Sequence, residues 1–174
     1  MNAPQTLSRW SRPGSSRIPF WAYTDAQLYQ RELEIIFYGA HWCYVGLEVE
    51  VPNVGDYKLS QIGERQVLMV REHQKLESDP DGLDSGIRVV ENRCAHRGVR
   101  FCQNLHGNAR FFVCPYHQWT YRLNGELAGL PFKNGVKDGD CINGGMPEDF
   151  DFKDHGLTKL RVATLHGLVF ATFS

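Results

Sequence analysis

Apolar positions follow two different rhythms along this chain. Tyr29, Leu33, Ile36 and Phe37 recur at helical spacing. Ahead of them Thr24 and Gln27 form a capping-box pattern, and Asp25 adds a favourable charge in the first turn. This predicts an amphipathic helix over residues 24–38, stopped by Gly39, whose apolar stripe must rest on this domain or on a following one. From Trp42 onward the rhythm is that of short β-branched and aromatic runs, at 42–45, 56–59, 66–70, 87–90, 111–113, 120–123, 157–162 and 167–173. Asn124-Gly125 reads as a type I′ hairpin turn, and His166-Gly167 separates the last two strands. The polar stretch from Glu77 to Gly86 reads as an exposed hairpin loop, and residues 131–156 as turn-rich with little regular structure. The predicted fold is mostly β, with antiparallel sheets, two hairpin loops and one N-terminal amphipathic helix. Residues 1–39 are the arm and helix, and residues 40–174 the main domain.

Composition narrows the class. At 174 residues the chain can bury a core without staples, and 42% hydrophobic with 22% charged residues is ordinary for a globular domain. The formal net charge of −1 and the lack of a Lys/Arg stripe argue against nucleic acid as a partner. No segment has the length and apolarity of a membrane span, and the Arg-containing N-terminus lacks the apolar core of a secretory signal. Cys43, Cys102 and Cys141 show no paired spacing and read as free thiols in a reducing, cytoplasmic setting.

The candidate chemistry lies in Cys94-x-His96 and Cys114-x-x-His117, separated by residues 97–113. Two thiolates and two imidazoles are the ligand set of a Rieske [2Fe–2S] centre, in which two His replace two Cys on one iron. Imidazoles lower the negative charge on their iron and leave a free ring nitrogen for contact with a partner. Gly98 permits a sharp turn in one loop, and Pro115 stiffens the other. Cys₂His₂ is also a zinc composition, but zinc fingers pair Cys with Cys and His with His, whereas here each loop carries one of each.

Cys94-Ala95-His96-Arg97-Gly98 and Cys114-Pro115-Tyr116-His117-Gln118-Trp119 resemble the Rieske domain of aromatic-ring-hydroxylating oxygenase large (α) subunits. The similarity runs from Trp21 to the end of the chain, through Phe37–Trp42, Ile62–Arg65 and His155–Leu157. Gly144-Gly145-Met146-Pro147 and the stretch Ser16–Tyr23 point to the salicylate 5-hydroxylase and anthranilate dioxygenase type. The resemblance implies Cys94 and Cys114 on the outer iron and His96 and His117 on the other, with Arg97 and Trp119 packing around the histidine loops. In the respiratory and photosynthetic branch each loop carries a further cysteine; Val99 and Tyr116 hold those positions here, and Trp119 stands in place of a hydroxyl donor. Fewer donors imply a potential at the low end of the roughly −150 to +300 mV Rieske range.

The family's hydroxylation takes place at a mononuclear Fe(II) in a C-terminal catalytic domain. His41, His73, His106, His155 and His166 offer no His-x₄-His or His-x₅-His pair for that iron, and the acidic run 147–154 lacks the spacing of a calcium loop. The catalytic domain is therefore expected outside these residues. The implied role is electron transfer from a ferredoxin or reductase to the oxygenase catalytic domain of the same or a neighbouring subunit, in an oligomeric full-length protein acting on an aromatic acid. A stand-alone Rieske ferredoxin is the alternative.

Overall fold

The computed structural model describes residues 18–74 and 85–174. The predicted arm and most of the loop from Glu77 to Gly86 lie outside the described residues. After a 3₁₀ turn at Phe20–Tyr23, the helix α1 runs from Ala26 to Glu32. Its cap is Asp25, whose Oδ1 accepts the Leu28 N–H at 2.8 Å, rather than Thr24. The reason lies upstream: the N–H groups of Thr24 and Asp25 both donate to the Trp21 carbonyl, so the chain leaves the preceding turn one residue later than the sequence pattern suggests.

The regular helix then widens into a π turn, Leu33–Phe37, closed by Tyr38 N–H on the Leu33 carbonyl at 2.8 Å. This rotates the expected stripe. Leu33 is buried, while Tyr29, Ile35 and Ile36 are exposed. Tyr38 caps the element, and at Gly39, just beyond it, only glycine fits, because a Cβ would meet the Ile35 carbonyl oxygen.

Among the described residues twelve strands follow: β1 Cys43–Leu47, β2 Asp56–Ile62, β3 Arg65–Arg71, β4 Ile87–Glu91, β5 His106–Asn108, β6 Phe112–Val113, β7 Thr120–Tyr121, β8 Leu127–Gly129, β9 Val136–Asp138, β10 Cys141–Asn143, β11 Lys159–Leu165 and β12 Leu168–Thr172. Seven form one antiparallel sheet in the order β1-β12-β11-β4-β3-β2-β5. The others form the three-stranded sheet β6-β7-β8 and the ribbon β9-β10. That ribbon was not expected in the turn-rich segment; all six of its strand residues are exposed, so no burial pattern announces it.

The run Val67-Leu68-Met69-Val70 is buried throughout because β3 serves two cores. Side chains alternate across a strand, so Val67 and Met69 join a core inside the large sheet with Val45, Ile87, Val89 and Val169. Leu68 and Val70 face the other way, into a core shared with Phe101, Phe112, Trp119 and Tyr121. The second core binds the small sheet, and the loops it carries, onto the large one.

The hairpin chemistry also differs from expectation. Asn124 does not take the positive φ that a type I′ turn requires; only Gly125 does, at +85°. Gly125 N–H bonds the Arg122 carbonyl and Arg122 N–H bonds the Glu126 carbonyl, a type I turn with a glycine bulge. The two-residue turn with both φ positive is His166-Gly167, at +50° and +83°, between the paired Leu165 and Leu168.

Candidate functional site

The candidate residues sit on two loops with the same backbone design. Cys94 N–H bonds the Val99 carbonyl and Gly98 N–H returns to the Cys94 carbonyl, at 2.9 and 2.8 Å. In the second loop Cys114 N–H bonds the Trp119 carbonyl and Gln118 N–H returns to the Cys114 carbonyl, both at 2.9 Å. The residue that closes each turn is left-handed: Gly98 at φ +70° and Gln118 at +56°. Glycine takes that conformation freely, whereas a side chain there costs about 1–2 kcal/mol. In the first loop a Cβ would also come within 3.1 Å of Nε of the exposed Arg93 side chain, which must shift slightly to admit it, so the positive φ is the main reason for glycine.

Each loop is anchored. Asn92, at the end of β4 and almost fully buried, accepts the N–H groups of Phe101 and Cys102 on Oδ1 and donates to the Cys102 carbonyl at 2.7 Å. It ties the exit of the first loop to the strand that enters it. The second loop is held between β6 and β7 as the tip of a hairpin.

The structure brings the four candidate residues together. Cys94 and Cys114 are each 2% exposed, within the second core. His96 and His117 are half-buried, with ring centroids 4.7 Å apart. The thiols therefore form the inner pair and the imidazoles the outer, the reverse of the order the resemblance implied for the cysteines. Burial raises the pKa of the Cys114 thiol, opposed by the backbone N–H groups of Tyr116 and His117 directed at its sulfur. His96 is lowered by burial first, then by His117 and Arg97.

Of the two neighbours named from the sequence, Trp119 stacks on His96 with centroids 4.7 Å apart and planes 6° apart. Phe150 and His155 pack against the same indole. Arg97 is exposed, next to His96 in the chain. Sequence reasoning missed Tyr121. Its hydroxyl lies 3.1 Å from Cys94 Sγ and 3.2 Å from the Ala95 N–H, for which it is the acceptor. A hydroxyl does reach the thiol pair, from Tyr121 rather than from the position that Trp119 occupies; burial and the Cys94 sulfur both raise the Tyr121 pKa.

Does this donor set fit an iron–sulfur cluster? His117 Nδ1 is buried and has no hydrogen-bond partner, a state that costs about 1–3 kcal/mol and calls for an atom facing it. Among the described residues no three His, Cys, Asp or Glu side chains converge on one metal ion. Two inward thiols and two outward imidazoles match a binuclear group held in pairs better than one tetrahedral ion.

The sequence profile of the Rieske [2Fe–2S] domain matches residues 41–140. The chain belongs to that family. Its cofactor is the [2Fe–2S] cluster of the family. This Rieske domain is 58% identical to the large oxygenase component of salicylate 5-hydroxylase from Ralstonia sp., over 99% of the chain and 40% of the relative. It is 43% identical to the large subunit of anthranilate 1,2-dioxygenase from Burkholderia cepacia, over 91% of the chain and 34% of the relative. Among solved structures it matches naphthalene 1,2-dioxygenase with indole in the active site at TM-score 0.70 and 32% identity, covering 86% of the chain and 29% of that protein. The domain is thus of the ring-hydroxylating oxygenase large-subunit type, and it spans less than half the length of these relatives. Among the described residues, no helix is long and apolar enough to cross a membrane.

A recess beside His96 and His117 is lined by Tyr116, Gln118, Pro131, Phe132 and Met146, largely apolar and without charge. On the other side of His96 the surface is polar. There two adjoining clefts are lined by Arg65, Arg93, Arg97, Arg100 and two glutamates.

Proposed function

We propose that Cys94 and Cys114 hold the inner iron of the cluster, that His96 and His117 hold the outer one, and that the domain relays single electrons to a mononuclear Fe(II) that hydroxylates an aromatic acid. The carrying observation is the orphaned His117 Nδ1 beside His96 and above two buried thiols. When bound, the cluster supplies reversible one-electron chemistry. The chain supplies the rest. The second core keeps water from the sulfurs, amides of the second loop face Cys114, and Trp119 fixes the His96 ring plane. The half-buried imidazoles are the exit towards the catalytic domain of the same or a neighbouring subunit, and a ferredoxin or reductase is the electron source. The similarity to salicylate 5-hydroxylase supports a salicylate-like substrate. The unpaired Cys43, Cys102 and Cys141 fit a reducing cytoplasm.

The test is the visible and EPR spectrum of the chain purified with iron and reduced by dithionite. The expected result is a reducible Rieske signal, lost in Cys114→Ser, with no aromatic product formed by these residues alone. A colourless protein with one bound zinc would overturn the assignment. A relay serving no oxygenase, the stand-alone ferredoxin alternative, would pass its electron to added carriers but not to an oxygenase catalytic domain.

A further inference from the structure

Arg65, at the start of β3, and Arg93, Arg97 and Arg100, around the first loop, are all exposed. They line two adjoining clefts that share Glu91, Arg93 and Gly98; one reaches Arg65 and Arg100, the other Arg97 and His96. Two carboxylates face these four guanidinium groups: Glu64, exposed, and Glu91, 8% exposed. Among the described residues no ion pair engages any of the four arginines, and Arg65 lies instead over the rings of Tyr38 and Phe173. The whole chain carries a net charge of −1, so this concentration of positive charge is local. The recess beside Tyr116 and Phe132 has no Asp, Glu, Lys or Arg in its lining, and the segment 148–154 carries four carboxylates against Lys153. Of the two clefts that His96 lines, only the one beside the first loop carries arginine.

Resting on the function proposed above, we propose that this arginine rim is the docking surface of the electron donor and that the donor is an acidic ferredoxin. Opposed charges steer encounter and fix orientation more than they add affinity, which suits a carrier that must leave after each electron. One electron leaves the reduced cluster of the ferredoxin and reduces the cluster of this domain; no bond forms or breaks.

The test is the affinity of the iron-loaded chain for an acidic plant-type [2Fe–2S] ferredoxin, measured by calorimetry across salt concentration. Arg100→Glu is expected to weaken binding about fivefold at low salt, the effect of roughly 1 kcal/mol at a rim charge. The difference should vanish near ~0.5 M salt, where charges are screened within a few ångströms. The double variant Arg93→Gln with Arg100→Glu should lose more, while Asp149→Lys on the acidic flank should lose nothing. The dithionite-reduced EPR signal and the midpoint potential should stay unchanged in Arg100→Glu. Wild-type affinity in the double variant, a loss confined to Asp149→Lys, or arginine-dependent binding of an oligonucleotide in place of the ferredoxin would overturn the docking surface alone. Absence of any Rieske signal in the unmodified chain would overturn the functional reading beneath it.

Discussion

The loops Cys94–Val99 and Cys114–Trp119 close with the same two hydrogen bonds, yet they meet different surroundings. The first turns on a glycine and is flanked by arginines and polar clefts; the second turns on a glutamine and borders an uncharged apolar recess. Equivalent backbones place one Cys inward and one His outward from each side, which is what a paired donor set needs. The function proposed above gives the two sides of one electron relay different partners, and the surroundings differ accordingly. Backbone equivalence answers to the cofactor, and side-chain divergence answers to the exterior.

The strongest way to break this equivalence is to remove one thiol. Cys94→Ser and Cys114→Ser should each abolish the cluster completely, read as loss of iron and of the EPR signal; retention in either variant would show that the loops do not share the group. Next come the two turn residues, where the same backbone predicts opposite signs. Gly98→Ala should destabilise by about 1–2 kcal/mol, from the positive φ and the contact with Arg93. In a domain of this size that lowers Tm by roughly 2–8 °C. Gln118→Gly should instead raise Tm by about 2–4 °C, by relieving a left-handed side chain that costs about 1 kcal/mol. Calorimetry on both variants decides the matter, and equal signs would refute the turn equivalence.

The smallest effect concerns Tyr121, whose hydroxyl serves the first loop only. A hydrogen bond donated to Cys94 Sγ favours the reduced, more negative state, so Tyr121→Phe should lower the midpoint potential. The size is tens of millivolts, since about 1.4 kcal/mol corresponds to about 59 mV for one electron. An unchanged potential in a protein-film titration would show that the hydroxyl serves only the Ala95 N–H.

Much of the architecture was readable because it rests on local rules. The strand runs from Trp42 onward and the antiparallel, mostly β fold agree with the sheets observed. Other features were hidden for identifiable reasons. Thr24 lost the cap to Asp25 because hydrogen bonds to Trp21 delayed the helix. Asn124-Gly125 carries the preferred type I′ dipeptide, but Leu123 packs into the second core and the three-residue turn prevails. Tyr121, seven positions beyond Cys114, touches Cys94 only because the two loops face each other. Neither Asn92 nor the ribbon of β9 and β10 carries a periodic signal at all.

The candidate donor set is legible along the chain, because thiolates and imidazoles are a property of residue type, and their placement in two short loops is a matter of spacing. Which pair lies inside, which hydroxyl reaches a sulfur and where the arginines gather follow from the folded arrangement. Those depend on contacts between residues far apart in the chain, namely β3 shared by two cores and Arg65 carried to the side of Arg93, Arg97 and Arg100. Local chemistry is written along the chain; burial and charge patterning exist only once strands have found their neighbours.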